Sequence, residues 1–553
     1  MTRIDDLYAH IAEADRPEVF ITLRPQSNVA AEYAESLAAG GPLAGMVLAV
    51  KDNVDVAGVP TTAACPGYAY TPDTDSPAVA ALRAAGAVVI GKTNLDQFAT
   101  GLVGTRSPYA VVRDSRRPER ISGGSSSGSA VAVALGFADI AIGTDTAGSG
   151  RVPAALQGIV GVKPTVGVVS TAGVVPACAE YDVVTIFAAD LDTADRAMAA
   201  MADARGPRPF GGHIDFAAPE TPVLAVPEQL PELDSAWRSA FAEAVARAED
   251  AGFRVKTIDL SAFLAAATLL YDDALVAQRY DAVGEFLFGL ADPVAAGVDP
   301  TVAAIIAAAD RFSAVDLLRA RRRLAELQER AMREWADADA LMVPTAPLHP
   351  RIDEVSADPV GVNSRMGTYT NFCNLLDLCA VAVPAGTIAE PDGSTAQFGI
   401  TLLAKAHRDA AIMDLARRFG GDCVPRAAWP ESHAGGVEVA VFGAHMRGGP
   451  LTHELSGRGA RWAGEVRTAS NYRLVKLDTV PPKPGLIRDP ECGKSIHGER
   501  WVLSPSALGE FLAALPEPMM LGRVELSDGR WVVGFGCAAD AGAEGERLDR
   551  DRW

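Results

Sequence analysis

Two serine-rich stretches and one lysine hold the candidate chemistry of this sequence. GGSSSGS (123–129) precedes an apolar, helix-forming run, and 24 positions beyond Ser125 comes GTDTAGSGRVPA (143–154), with Ser149 in its middle. The small residues at 146–150 suit a tight turn that offers several backbone N–H groups to one oxygen, the construction of an oxyanion hole. A serine nucleophile needs a base, yet no histidine lies between Met46 and Glu180. Lys51 does lie there, directly after the apolar run MVLAV, where a strand would carry its ammonium into the interior. Desolvation disfavours the charged form, so a buried lysine can stand as a neutral amine and accept a proton.

Two other motifs compete for the same stretch. Gly86–Thr93 fits the G-x-x-x-x-G-K-T spacing of a phosphate loop, but its interior residues are Ala87, Val88, Val89 and Ile90. Those are strand residues, whereas a phosphate cradle needs a loop after a strand with its amides turned to the ligand. Gly124–Gly128 fits G-x-S-x-G, the nucleophile elbow, which sits between a strand and a helix. The preceding RDSRRPER is too charged for a buried strand, and no downstream histidine stands out as a triad partner.

The elements that must position Lys51, Ser125 and Ser149 follow from the apolar pattern. Residues 1–37 read as helix, turn and helix. From Met46, the short apolar runs MVLAVKD, AVVIGKT and DIAIGTD alternate with helical segments such as AVAALRAAG and SAVAVALG. That texture predicts the α/β class, a mixed sheet covered by helices. Ala-rich helices follow between 234 and 338, then two further buried-strand candidates at 340–347 and 378–386. A first domain is expected over 1–425 and a Gly/Pro-dense linker over 426–436. A small α+β domain is expected over 437–538, ahead of a polar tail at 539–553.

Composition narrows the class. At 553 residues more than one domain is the default, and 49% hydrophobic with 22% charged residues is globular. A formal net charge of -20 lacks the basic footprint of a nucleic-acid binder. Seven scattered cysteines, none in C-x-x-C spacing, predict neither a zinc site nor a disulfide framework. The N-terminus lacks a signal-peptide pattern and no apolar run reaches 18 residues, so a cytoplasmic enzyme without a membrane anchor is expected.

VLAVKDN (47–53), GGSSSGS and GTDTAGSGRVPA, in this order, resemble the amidase signature family over most of residues 40–190. The resemblance implies the amidase-signature fold, no cofactor and no metal. It assigns Lys51 as base, Ser125 as relay serine behind a cis peptide after Gly124, and Ser149 as nucleophile. Asp145 and Arg151 fall at supporting positions, and the amides of Thr146, Ala147, Gly148 and Ser149 at the oxyanion hole.

GPLAGMVLAVKDNVDVAGVPTTAACPGYAY (41–70), KTNLDQFATGLVGTRSPY (92–109) and the C-terminal blocks VFGAHMRGGPLTHELSGRGARW (441–462) and PPKPGLIR (481–488) resemble the allophanate hydrolase branch of that family. This implies hydrolysis of urea-1-carboxylate, with Tyr271 and Arg279 holding the carboxylate. On one continuous helix that eight-residue spacing would set the pair about 80° apart and roughly 12 Å along the axis, so the side chains would have to converge. The branch further implies a C-terminal domain resembling γ-glutamylcyclotransferases and implicated in decarboxylating N-carboxycarbamate. His445, in the turn after a strand, is the candidate there, with His453 and Glu454 nearby. A homodimer and a pathway link to urea carboxylase are also implied. Two alternatives stay open. One is a general or malonamide-type amidase with a non-catalytic C-terminal oligomerisation module. The other is one chain of a glutamyl-tRNA amidotransferase, which would need partner chains.

Overall fold

The computed structural model describes residues 3–390, 393–422, 429, 434–480 and 482–553. The chain divides into two compact units, 1–209 with 222–422, and 210–221 with 423–553. Most of the expected linker, 426–436, lies outside the described residues.

In the larger unit, strands β1 (Phe20–Leu23), β2 (Val47–Lys51), β3 (Val88–Thr93), β4 (Ile140–Asp145), β5 (Val160–Lys163), β6 (Val183–Ala188), β7 (Val223–Pro227), β8 (Arg254–Ile258), β9 (Ala340–Pro344), β10 (Leu378–Ala389) and β11 (Thr395–Lys405) form one mixed sheet. Their order is β1-β3-β2-β4-β6-β5-β10-β11-β9-β7-β8. Every residue of β2, β3, β4 and β6 is buried. Continuous apolar runs of this kind are stable only with both sheet faces covered. The helix Ser127–Ala134, SGSAVAVA, supplies part of that cover and is itself buried on all sides. Its small side chains let its backbone approach the sheet closely. β2 runs parallel to both β3 and β4, with Val50 opposite Lys92 on one side and Ile142 on the other. The C-terminal ends of β2 and β4 therefore lie together, and they carry Lys51 and Asp145.

Gly86–Thr93 runs into β3, so the phosphate-loop spacing falls on a buried strand. Lys92 points inward, bonds Thr61 Oγ1 at 2.9 Å and pairs with Asp52 at 3.4 Å. Two strands lie inside segments expected to be helical. β1 interrupts the expected helix–turn–helix at the N-terminus, pairing antiparallel with β3. β8 interrupts the Ala-rich helical region at the opposite sheet edge, where half-exposed RVKTI carries no continuous apolar signal.

The smaller unit contains a five-stranded sheet in the order β13-β16-β12-β18-β17, from β12 (Val437–Val441), β13 (Arg461–Arg467), β16 (His497–Leu503), β17 (Met519–Glu525) and β18 (Trp531–Cys537). A three-stranded sheet, β15-β14-β19, joins β14 (Tyr472–Leu477), β15 (Lys483–Arg488) and β19 (Glu546–Leu548). Residues 539–553 are thus not simply a polar tail, because Ala539–Glu544 is helical and β19 pairs with β14. The ladder bonds that an edge strand offers explain how so polar a segment is held.

Residues 210–221 belong to this unit although they precede β7. Phe216 and Ala217 donate their amides to the Gly459 carbonyl, and Arg461 donates to the Phe216 carbonyl. Ile214 and Phe216 pack with Ala434 and Val502 in a small apolar cluster.

Candidate active site

Lys51 ends β2 with its side chain wholly buried. Its Nζ donates to Ser125 Oγ at 2.8 Å and to Thr144 Oγ1 at 2.7 Å. Among the described residues no carboxylate lies within ion-pair distance of it. Burial pushes the amine down to about 7, against the pull of Asp96, Asp145 and Asp182 and with the push of Arg279. A lysine in this setting is available as a neutral base near physiological pH. Ser125 follows a cis peptide from Gly124. It stands just before the helix Ser127–Ala134, and its carbonyl accepts from the Asp96 amide at 3.1 Å.

Ser149, 3% exposed, lies in the turn after β4. Asp145 organises that turn. Its carboxylate accepts from the Gly148 amide at 2.9 Å, from the Gly150 amide at 3.0 Å, and from Arg151 at 2.9 Å through both Nε and Nη2. Burial alone would raise this carboxyl, but the bidentate Arg151 guanidinium holds it below its ordinary value. The fork geometry fixes register as well as charge. Gly148 has φ of 130°, and a Cβ there would meet Thr370 Oγ1 at 2.4 Å, so only glycine fits. The oxyanion expectation needs one correction. The Gly148 amide is committed to Asp145, while those of Thr146, Ala147 and Ser149 donate to no protein acceptor among the described residues.

Tyr271 and Arg279 do not share one continuous helix. The helix Ser261–Asp272 stops where Asp273 turns extended and caps a single 3₁₀ turn with its side chain on the Ala274 amide, and a new helix begins at Ala277. The break brings the two side chains together: Arg279 Nη2 donates to Tyr271 Oη at 2.9 Å, with the guanidinium 4.9 Å from the phenol ring centre. Arg279 is 1% exposed, its Nη1 donates to Thr100 Oγ1 at 2.9 Å, and its Nε has no partner among the described residues. No carboxylate pairs with it among the described residues. A cavity of about 540 Å³ opens beside Tyr271, walled by Leu264, Ala304 and Ile305 and carrying Arg106 and Asn371.

Residues 7–413 match the family model described as Amidase, and residues 437–549 match that of the allophanate hydrolase C-terminal domain. The chain belongs to the amidase family. Its fold superposes on the allophanate hydrolase of Kluyveromyces lactis with a TM-score of 0.88 and 37% identity, covering 99% of this chain and 94% of that one. It is 42% identical over 525 residues to a urea amidolyase of Lachancea kluyveri, covering 90% of this chain. It spans 28% of that much longer protein. A glutamyl-tRNA(Gln) amidotransferase chain of Symbiobacterium thermophilum is 34% identical over 419 residues, 68% of this chain and 82% of that one.

Within this amidase scaffold, several residues around Lys51 and Ser149 escaped the sequence reading. Thr144 holds Lys51 from β4, and Asp182 accepts the Thr146 hydroxyl together with the Ala177 and Cys178 amides. Thr100 holds Arg279. Hydroxyls inside short polar stretches give no periodic signal, so only the fold reveals them. The Cys178 thiol, pushed up to about 12 by burial, is no nucleophile.

In the smaller unit His445 follows β12 and is 6% exposed. Its Nε2 lies 2.8 Å from Glu454 Oε2, its ring stacks on Phe535 at 4.8 Å between centroids, and it meets Phe511 edge-on. Burial lowers its basicity against the pull of Glu454. The adjoining cavity, of about 20 Å³, is lined by His445, Lys483, Met519 and Phe535. The structure thus brings His445 and Glu454 together and leaves His453 at the start of a short helix. Among the described residues no helix is long and apolar enough to cross a membrane.

Proposed function

We propose that the chain hydrolyses allophanate by a Ser149–Ser125–Lys51 mechanism, releasing ammonia. The observation that carries the catalytic half is the buried lysine with hydroxyls as its only close polar partners among the described residues. Ser149 Oγ attacks the terminal amide carbon, its proton passes through Ser125 to Lys51, and the carbonyl oxygen takes the free amides of the 146–149 turn. The relay returns the proton to nitrogen, ammonia leaves, and water cleaves the acyl-enzyme to N-carboxycarbamate.

The substrate half rests on Arg279. A fully buried guanidinium without a carboxylate costs several kcal/mol in desolvation, which an anionic ligand would offset. With the Tyr271 hydroxyl beside it, the pair offers a small carboxylate a bidentate donor and a phenol. The names of the similar proteins, allophanate hydrolase and urea amidolyase, point the same way. A pathway link to urea carboxylation and a paired assembly belong to this reading. In the smaller unit, His445 with Glu454 is the candidate proton carrier for loss of carbon dioxide from N-carboxycarbamate.

The test is ammonia release from allophanate compared with urea, biuret and uncharged amides. Turnover of uncharged amides at rates rivalling allophanate would make Tyr271 and Arg279 incidental and leave a general amidase.

A further inference from the structure

Between β3 and Ser125 lies the stretch Asp96–Arg106, and its hydrogen bonds reach both halves of the site. Asp96 is wholly buried. Its amide donates to the Ser125 carbonyl at 3.1 Å. Its carboxylate accepts the Gly104 amide on Oδ2 at 3.0 Å and the Arg106 amide on Oδ1 at 2.9 Å. Burial pushes this carboxyl above its ordinary range, against the pull of Arg106, the two amides and Lys51. Both oxygens accept from N–H donors, and neither has an acceptor to donate to among the described residues, an arrangement that holds the charged form against that burial. A Cβ on Gly124 would stand 2.0 Å from Asp96 Oδ2 and one on Gly101 2.6 Å, so glycines on both sides make room for this one group. The loop it folds carries Thr100, whose hydroxyl takes Arg279 and whose carbonyl takes Arg106 at 2.8 Å.

We propose that Asp96 is a positioning residue that sets two things at once, the relay serine through its main-chain amide and its carboxylate's seat against Gly124, and the Arg279 clamp through the loop it folds. The proposal rests on the hydrolase reading above. Asp96 is also the foremost of the acidic groups acting on Lys51, with Asp145 and Asp182 behind it and Arg279 opposing, while Arg106 and Lys51 are the cations facing Asp96 itself. Its negative charge favours the Lys51 ammonium, so removing it lowers the pH at which the amine becomes neutral.

Three variants of the full chain test this, using the rate of Ser149 labelling by a fluorophosphonate and steady-state turnover of allophanate and of an uncharged amide. Asp96→Asn should slow labelling, raise the allophanate KM roughly tenfold, and move the acid limb of labelling down by about one pH unit. Gly101→Ala keeps the charge but crowds the carboxylate, so it should slow labelling and raise the allophanate KM without moving the limb. Thr100→Val should raise the allophanate KM about tenfold and slow labelling far less than Asp96→Asn does. Should Asp96→Asn not fold, Gly101→Ala decides between the outcomes. A folded Asp96→Asn protein with an unmoved limb, or a Gly101→Ala protein with both readouts unchanged, overturns the proposal. Absence of Ser149 labelling in the unaltered protein would instead overturn the hydrolase reading beneath it.

Discussion

At the end of β2, Lys51 is out of water with two hydroxyls on its nitrogen, and the carboxylates Asp96, Asp145 and Asp182 around it are each tied down by main-chain amides. In the smaller unit His445 is also buried, but its surroundings are two phenylalanine rings, one carboxylate near the surface and a cavity about the size of a water. The first site is organised before any substrate arrives, and its polar groups have no better structural explanation. The second has the partners that a packed histidine in any core could have. A buried charge is informative in proportion to how poorly its own protein neutralises it, and by that measure Lys51 and Arg279 differ from Arg151, which Asp145 neutralises. Lys92 makes the contrast sharper: equally buried on the neighbouring strand, it has Asp52 at 3.4 Å and reads as scaffold.

The comparison predicts a ranking of effects. Ser149→Ala and Lys51→Ala should each cut ammonia release from allophanate on the order of 10⁴-fold or more, with Ser125→Ala close behind. Full activity in Lys51→Ala would end the argument from burial. Phe216→Ala, which empties the cluster of the 210–221 segment, should destabilise the smaller unit by about 3–5 kcal/mol in urea unfolding while kcat for the first ammonia holds. A matching loss of amide cleavage would show that the two regions do not act separately. Arg279→Ala should cost about 2–5 kcal/mol in kcat/KM for allophanate and almost nothing for an amide without a carboxylate. Equal losses on both would return Arg279 to the scaffold. His445→Ala should show least, because N-carboxycarbamate also breaks down unaided. The first ammonia should appear at the normal rate while the intermediate lingers in carbon NMR. An unchanged decay would leave His445 a packing residue.

What the sequence disclosed of this site was its local part. MVLAV before Lys51 and the small-residue turn around Ser149 are strand and turn signals that need no distant partner, and β2 and β4 carry them as expected. The converging clamp was harder to foresee. Nothing in LLYDDALVAQRY announces that Asp273 caps a new turn and breaks the helix between Tyr271 and Arg279, since Asp is tolerated in a helix and favoured at a cap alike. The place of residues 210–221 was illegible for another reason: it depends on Gly459 and Val502, more than 200 positions away. Asp145 also had a second duty that spacing could not show. By accepting the Gly148 amide it removes one of the four donors expected for the oxyanion.

The central claim is that Lys51 serves as a neutral amine, and the nitrogen itself can be observed. The chain has only eight lysines, so ¹⁵Nζ resonances can be assigned by single Lys→Arg substitutions. In the Ser149→Ala protein, which should keep the fold and stop turnover, the Lys51 nitrogen should titrate at about pH 7. A Lys51 nitrogen that stays an ammonium up to the ordinary lysine range, near pH 10.4, would contradict the account at its root.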